Sequence, residues 1–231
     1  MNNSSHEEKL VSGLGGAISI LVVFWMTQYF ERGLHVPLLL IASMGATAVL
    51  LFAAPHTPLS QPWNVIGGHI VSALIGITIY QQVANPILGG ALAVGLAIIA
   101  MYYLQCLHPP GGATSLIPFI GGPAIEKFGY IFALFPVGLG AVAMVLIAIF
   151  FNYPFKHRRY PAILASQANT IVTPAVPDPA YPDISHANLV AALSEIDTYV
   201  DVSEEDLLRI YEIAAQRSHP DLAQPVIPDK S

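Results

Sequence analysis

The stretch HPPGGATSL, residues 108–116, decides the fold of this chain. Its two adjacent prolines cannot continue an α-helix, and the two glycines that follow allow a sharp change of backbone direction. The stretch lies within residues 33–125, which contain no Asp, Glu, Lys or Arg. A soluble domain carries charge on about a quarter of its residues, so water is not the solvent here. The motif predicts a helix break at membrane depth, where backbone must be buried in protein or line a cavity.

The composition places the chain among integral membrane proteins. Hydrophobic residues make up 54% and charged residues 10% of the sequence, and the mean hydropathy is +0.59. Residues 1–160 hold six basic and four acidic residues, whereas residues 161–231 hold three basic and eleven acidic residues. The net charge of −6 is therefore the sum of +2 in residues 1–160 and −8 in an acidic tail. No basic patch indicates a nucleic-acid partner, and the lone Cys106 excludes an internal disulfide.

Five apolar segments are long enough to cross a bilayer, which takes about 20 residues. They cover residues 14–30, 34–54, 64–83, 86–104 and 128–151. A sixth apolar piece, residues 111–120, is too short to span and is predicted to be re-entrant or a half-helix. The predicted fold class is all-α: a polytopic transmembrane helical bundle with five full spans and one short broken segment.

A short internal match raises the hypothesis of a 3+3 inverted repeat. The tripeptide Gly-Ala-Thr occurs at residues 45–47 in the second segment and at residues 112–114 in the short one. Three segments lie in each half if the short piece is counted, and an odd number inverts the second half. The match covers only three residues with different spacing upstream, so chance explains it at least as well as homology.

Basic residues near the span ends indicate the orientation. Lys156, Arg158 and Arg159 follow the last span, which favours a cytoplasmic C-terminus. Five crossings would place the N-terminus outside and six would place it inside, and the remaining basic residues do not decide between them. The first apolar run lacks a cleavage pattern, so it is expected to stay as a transmembrane helix. The predicted location is the bacterial inner membrane, with several passes.

The chain becomes polar after the membrane domain, which is assigned to residues 1–160. Residues 161–184 are predicted to be a Pro-rich linker, residues 185–220 an acidic helical hairpin in the cytosol, and residues 221–231 a flexible tail. Such a hairpin buries too little apolar surface to be stable alone. It should dock on the membrane domain, on a second subunit or on a partner protein, which leaves a homo-oligomer open.

The helix break is the leading candidate for a binding site. A helix that starts at the two glycines would present free N–H groups, and its positive dipole end attracts anions. The alternative is a purely structural break in which the histidine binds a backbone carbonyl. The candidate substrate-binding residues are His108, Pro109, Pro110, Gly111, Gly112, Thr114 and Ser115 at the break, with Thr47 and His69 facing them.

A second polar block precedes and enters the third segment. We interpret Asn64 as a helix N-cap, and Gly67 and Gly68 as small residues that permit tight helix packing. His69 is a functional candidate because ionisable groups inside a span are rare. A neutral histidine that is hydrogen-bonded to a neighbouring helix would look the same in the sequence.

Metal and catalytic sites are not expected. The eight histidines include no pair four residues apart and no His-x-His, and residues 33–125 contain no acidic residue to complete a ligand set. Hydrolase and phosphate-loop motifs are missing, so no enzyme activity and no cofactor are predicted. A membrane enzyme that relies on histidine alone has no support in the sequence.

These blocks resemble the HPP family of integral membrane proteins, named for the His-Pro-Pro seen here at residues 108–110. Residues 45–55, 62–69 and 152–161 carry further similarity, and the resemblance covers about residues 10–161. It implies a transmembrane bundle that is usually described as four spans. Plastid and cyanobacterial members have been linked to nitrite transport, whereas most bacterial members have no assigned activity. Some members carry cytosolic nucleotide-sensing domains, for which the short tail of this chain leaves little room.

The sequence thus predicts a transporter or channel for a small inorganic anion, with nitrite first by resemblance, in contact with the lipid bilayer. His108 is the candidate proton-responsive group because histidine titrates near physiological pH. The alternative function is a non-transporting membrane anchor whose acidic helical tail recruits a partner. Deleting residues 174–231 separates the two, since a transporter should keep its flux and an anchor should lose its phenotype.

Overall fold

The computed structural model describes residues 6–30 and 37–163. All regular structure in these two ranges is helical, which confirms the predicted all-α class. The predicted helical hairpin and flexible tail lie outside the described residues. The helices are α1 (His6–Phe30), α2 (Pro37–Ala53), α3 (Pro62–Gln82), α4 (Pro86–Tyr103), α5 (Pro109–Gly121), α6 (Pro123–Glu126) and α7 (Leu139–Asn152), with shorter 3₁₀ or π turns at Pro58–Ser60, Ala133–Gly138 and Lys156–Arg158.

Proline marks where most of these helices begin. Five of the seven start at a proline, namely Pro37, Pro62, Pro86, Pro109 and Pro123. A proline is tolerated at this position because the first N–H groups of a helix have no partner within it. At the start of α4 the side-chain oxygen of Asn85 also accepts the N–H groups of Ile87 and Leu88, each at 3.0 Å. Helix starts are therefore encoded locally in this chain.

Four helical stretches are long and apolar enough to cross a membrane: His6–Gln28, Pro62–Gln82, Pro86–Tyr103 and Ala133–Asn152. The second predicted span corresponds to α2, which has 17 residues, and the short predicted piece corresponds to α5, which has 13 residues. At 1.5 Å per residue, α5 rises only about 20 Å. The chain is therefore a multi-pass membrane protein with two shorter apolar helices inside the described bundle.

The last predicted span, residues 128–151, is interrupted. Gly129 has a positive φ of 52°, and Phe135 is extended with φ −138° and ψ 122°. A proline disfavours helical geometry for the residue before it, and Pro136 follows Phe135 directly. The regular helix α7 therefore begins only at Leu139. The predicted span therefore contains a break before Pro136, and Ala133–Asn152 within it is still long and apolar enough to cross a membrane.

Side-chain contacts define the direction of α5. Gly68, in the second turn of α3, lies against His108. Near the end of α3 the ring of Tyr80 packs edge-on against Phe119, with centroids 5.4 Å apart. The two helices therefore run in the same direction. Gly89, near the start of α4, also lies against Phe119, so α4 runs the opposite way. Consequently α5 begins inside the bundle, beside the second turn of α3, rather than at the membrane surface.

Both ends of the described bundle lie at the same face. Arg158 forms an ion pair with Glu8 in the first turn of α1, and it donates to the carbonyl of Phe52 at the end of α2. The start of α1, the end of α2 and the segment after α7 are therefore neighbours, and we name this side the Arg158 face. Counted with α5, six helical segments alternate in direction within the described residues. Whether all six cross the membrane, which is the even number that the sequence left open, stays a prediction.

Glycine allows α3 to approach the chain around α5 closely. A Cβ added to Gly76 would overlap the backbone of Ser115, and one added to Gly67 would lie 3.0 Å from the Cβ of Cys106. Side chains larger than hydrogen at these positions would push the segments apart. The interpretation of Gly67 and Gly68 as packing residues is confirmed, and this close contact positions the residues of the candidate site.

Candidate functional site

The connector between α4 and α5, residues 104–108, enters the bundle beside the first turns of α3. The indole Nε1 of Trp63 donates to the carbonyl of Leu104 at 3.0 Å, and Nδ2 of Asn64 donates to the carbonyl of Leu107 at 2.9 Å. These bonds give partners to connector carbonyls that no helix satisfies. The sequence motif thus forms a non-helical segment that is supported by side chains from α3.

The first turns of α3 are adapted to this connector. The prediction that Asn64 caps α3 was wrong, because the helix begins at Pro62 with Gln61 at the N-cap position. Further along, a Cβ on Gly68 would lie 2.5 Å from the Cβ of His108. Asn64 and Gly68 therefore serve the connector, the first by a hydrogen bond and the second by leaving space.

The start of α5 offers no free N–H group in its first three positions. Pro109 and Pro110 carry no backbone N–H, and the N–H of Gly111 donates to the carbonyl of His108 at 2.8 Å. The prediction of an exposed N–H group was therefore wrong for Gly111. An anion at this place would need donors from side chains instead.

The two glycines of the motif have different surroundings. A Cβ on Gly111 would lie 2.7 Å from Oγ of Ser72 and 3.0 Å from the carbonyl of Gly68, so this position requires glycine. A Cβ on Gly112 would have nothing within 4 Å. Gly111 therefore sets the distance between α3 and α5, whereas Gly112 does not contribute to this contact.

Four of the candidate residues meet at the helix break and form what we call the His–Thr cluster: Thr47 of α2, His69 of α3, and His108 and Thr114 at the start of α5. Oγ1 of Thr47 is 2.8 Å from Nε2 of His69 and 2.9 Å from Nε2 of His108. Nδ1 of His69 is 2.7 Å from Oγ1 of Thr114. All four residues are fully buried, and the two imidazole centroids are 4.9 Å apart.

The second nitrogen of His108 is held from outside the cluster. Its Nδ1 is 2.9 Å from the carbonyl oxygen of Leu59, in the 3₁₀ turn Pro58–Ser60. Tyr160 supports this turn, because its hydroxyl donates to the carbonyl of Ser60 at 2.8 Å. A carbonyl can only accept, so Nδ1 of His108 carries a hydrogen. The histidine thus binds a carbonyl, as the structural alternative predicts, and also belongs to the cluster.

The cluster joins the two Gly-Ala-Thr tripeptides of the sequence. Thr47 ends the first tripeptide and Thr114 ends the second, and each binds a different ring nitrogen of His69. Their helices, α2 and α5, run in opposite directions. The short sequence match thus corresponds to residues that meet in the structure. Antiparallel neighbours occur in any up-and-down helical bundle, so the inverted repeat stays a prediction.

The other predicted residues surround the cluster without joining it. Oγ of Ser115 donates to the carbonyl of Gly112 in its own helix at 2.8 Å. The carbonyl of Pro110 lies 3.3 Å from Oγ1 of Thr114 and is a second acceptor for that hydroxyl. Pro109 and Gly111 shape the helix start but bring no side-chain donor. The structure therefore divides the predicted set into four cluster residues and five residues outside the cluster.

The sequence did not predict the carbonyl of Leu59 or the ion pair between buried Arg158 and half-buried Glu8. Arg158 is 1% exposed, and besides Glu8 it contacts Oγ of Ser12 at 3.0 Å and Oδ1 of Asn152 at 3.3 Å. Sequence analysis used Arg158 only as an indicator of orientation. No local pattern reveals its partner, because Glu8 lies 150 residues earlier in the chain.

The cavities of the described bundle include three that are not lined by the His–Thr cluster. Two are apolar grooves of about 480 and 540 Å³, between α1 and α2 and between α3 and α4. The third, of about 280 Å³, is more polar and lies at the end opposite the Arg158 face, lined by Tyr80, Gln81, Val83, Ala84, Pro86, Phe119 and Glu126. Across the described residues, no three His, Cys, Asp or Glu side chains are grouped to hold a metal ion.

Comparison with known proteins gives a consistent result. A family model described as "HPP, transmembrane region" matches residues 1–161. The chain is 39% identical over 154 residues to the transmembrane protein DDB_G0273707/DDB_G0273361 of Dictyostelium discoideum, covering 65% of this chain and 49% of that protein. It is 40% identical over 126 residues to the transmembrane protein DDB_G0269096 of the same organism, covering 53% and 44%. The chain thus spans about half the length of these curated relatives. No solved structure matches it.

Proposed function

Because the chain belongs to the HPP transmembrane family, we propose that it transports a small inorganic anion across the membrane, with nitrite as the first substrate to test. One observation carries the proposal: two fully buried histidines meet at an interrupted helix inside the bundle. The names of the relatives say only that they are transmembrane proteins and name no substrate. The proposal assigns no catalytic step to the bundle.

The depth of the cluster supports a transport role. Thr47 lies six residues before the end of α2, and His69 lies seven residues after the start of α3. At 1.5 Å per residue, both are about 10 Å inside the helix ends. Ionisable side chains at such depth are rare and usually belong to ion or substrate pathways. Interrupted helices near the centre of a membrane domain are likewise typical of transporter binding sites.

Charge narrows the class of substrate. Residues 33–125 contain no Lys or Arg, so only a protonated histidine can supply positive charge beside the break. The cluster also provides two hydroxyl groups, which can donate to an anion. In the conformation described here, these groups bind one another. An anion would therefore enter by exchanging hydrogen bonds with the cluster, and its small size would match the short distances between the four side chains.

The orientation is part of the same proposal. The Arg158 face carries Lys156, Arg158 and Arg159 together with Lys9 near the start of α1. Basic residues concentrate on the cytoplasmic side of membrane proteins. We therefore assign this face to the cytoplasm, and the bacterial inner membrane remains the proposed location.

Uptake by sealed liposomes that contain the purified chain tests the function. Nitrite is offered beside nitrate, formate, bicarbonate and chloride at two pH values, with protein-free liposomes as the background. We expect saturable nitrite uptake that Gly111→Ala reduces, because its Cβ would displace α5 from α3. The matched control is Gly112→Ala, whose Cβ meets open space. Absence of flux for every anion, from protein that elutes as a single folded species, would overturn the proposal.

A further inference from the structure

We propose that the His–Thr cluster is a proton relay, and that the ion coupled to anion transport is the proton. The relay itself follows from the hydrogen-bond geometry, whereas the coupling rests on the transport function proposed above. The relevant atoms form one continuous chain from the carbonyl of Leu59 through His108, Thr47 and His69 to Thr114, with heavy-atom distances between 2.7 and 2.9 Å.

The neutral chain has one complete set of hydrogen positions. His108 donates from Nδ1 to the carbonyl of Leu59, so its Nε2 must accept, and the donor is the hydroxyl of Thr47. The oxygen of Thr47 then accepts from Nε2 of His69. That leaves Nδ1 of His69 as an acceptor for the hydroxyl of Thr114. Each of the four hydrogens has one acceptor in this set, and the carbonyls of Ser43 and Pro110, 3.2 Å and 3.3 Å from the hydroxyls of Thr47 and Thr114, are left unused.

The same heavy atoms also accommodate one additional proton. If Nε2 of His108 is protonated, it donates to the oxygen of Thr47, and the hydroxyl of Thr47 turns to Nε2 of His69. His69 then carries its hydrogen on Nδ1 and donates to the oxygen of Thr114. The hydroxyl of Thr114 turns to the carbonyl of Pro110, which lies 3.3 Å away. Five hydrogens now meet five acceptors, and no heavy atom needs to move.

The two sets are connected by a balanced series of proton transfers. A proton that arrives at Nδ1 of His69 makes this ring a cation. His69 passes its Nε2 proton to Thr47 while Thr47 passes its own proton to Nε2 of His108. The positive charge then rests on His108, and His69 is again neutral but in its other tautomer. No bond other than those to hydrogen forms or breaks, and the reverse series returns the proton.

The two histidines are the groups of this site that can take up a proton and become charged. On α2, the carbonyl of Ser43 lies 3.2 Å from Oγ1 of Thr47, which belongs to the cluster. The connector contributes the thiol of Cys106, which lies beside Gly67 of α3. Residues 33–125 hold no Asp, Glu, Lys or Arg, and the charged residues of α1 (Glu7, Glu8 and Lys9) lie in its first turn at the Arg158 face. The extra charge therefore has no fixed counter-ion beside it. A small anion can supply the missing negative counter-charge. The anion and the proton would therefore be transported together.

Nitrogen NMR of the full chain, labelled with ¹⁵N-histidine and held in lipid bilayers, tests the relay directly. The signals of the two rings are assigned with His69→Gln and His108→Gln. As the pH falls, we expect His108 to become doubly protonated while neutral His69 changes from the Nε2–H to the Nδ1–H tautomer. Thr47→Val removes the connecting hydroxyl and should abolish the tautomer change, whereas Thr47→Ser should preserve it. A His69 tautomer that stays constant while His108 titrates would overturn the relay.

Coupling is tested in liposomes with a pH-sensitive dye trapped inside. We expect nitrite uptake by the wild-type chain to carry protons inward beyond the protein-free background, and an imposed pH gradient to drive uptake. Thr47→Val should lose the gradient-driven uptake, and Thr47→Ser should retain it. Wild-type uptake without proton movement would overturn the coupling while the proposed transport stands. Absence of any anion uptake would refute the transport proposal, and the NMR result would still decide the relay.

Discussion

At the scale of single residues, His108 is the centre of the helix break. One ring nitrogen binds a carbonyl of the loop before α3, and the other binds Thr47 of α2. A neutral glutamine can form similar hydrogen bonds, but it cannot take up a proton. The two roles of His108, structural and ionisable, are therefore separable by substitution.

The first prediction uses this difference. Nitrite uptake by the wild-type chain should increase as the external pH falls, because a protonated histidine offsets the charge of the anion. His108→Gln should flatten this pH dependence, because glutamine has no group that takes up a proton in this way. His56→Gln is the matched control, since His56 bonds only a carbonyl of the Arg158 face, that of His157. An unchanged profile in His108→Gln would remove His108 from the mechanism.

The second prediction concerns the two glycines of the motif. Gly111→Ala should lower the stability of the purified chain by about 1–3 kcal/mol, the usual effect of overpacking a filled site. Gly112→Ala should leave the stability unchanged or raise it by up to about 1 kcal/mol, because alanine favours helix and the site is open. Thermal unfolding of both variants in the same detergent compares them. Equal effects would contradict the close approach of α5 to α3.

At the scale of helices, the side chain of Arg158 contacts residues of α1, α2 and α7 at one face of the bundle. Glu8 belongs to α1, the carbonyl of Phe52 ends α2, and Asn152 ends α7. A positive side chain near the carbonyl end of a helix is also favoured by the helix dipole. The contact therefore determines how the first two helices meet the last one.

The third prediction removes the charge of one partner. Glu8→Gln leaves the buried guanidinium of Arg158 with neutral partners only, and breaking such a pair costs about 3 kcal/mol or more. We expect a marked fall in the unfolding temperature of the chain. Glu7→Gln is the matched control, because Glu7 is exposed in the same turn. If both variants unfold at the same temperature, the ion pair does not hold the three helices together.

At the scale of the whole described bundle, six alternating segments place both of its ends on one side. The lone Cys106 is fully buried and should react little with added reagents, so single cysteines can be introduced without removing it. His6 and Ile163 are exposed near the Arg158 face, and Ala84 is exposed at the opposite end.

The fourth prediction follows from this arrangement. In sealed vesicles of one orientation, a membrane-impermeant thiol reagent should label His6→Cys and Ile163→Cys from the same side and Ala84→Cys from the other side. The unsubstituted chain measures background labelling of Cys106. Labelling of His6→Cys and Ile163→Cys from opposite sides would mean an odd number of crossings and would contradict the assigned course of α5.

Much of the fold could be predicted from the sequence because its signals are local. The charge-free stretch indicates the membrane, prolines mark most helix starts, and the double proline indicates the break before α5. Thr47, His69, His108 and Thr114 were also selected correctly as neighbours, from their polarity within apolar segments. The expected free N–H groups depended on a helix start at the two glycines, whereas α5 begins two residues earlier, at Pro109.

The sequence by itself thus determined that the chain lies in a membrane, where its helix breaks, and which residues carry side chains that could serve a function. Only the tertiary structure decided how they meet: the carbonyl of Leu59 lies 49 residues from His108, and Glu8 lies 150 residues from Arg158. Such contacts depend on the direction and packing of whole helices. Apolar helices in a membrane carry no local signal for either, because every face of such a helix is compatible with lipid until a neighbour packs against it.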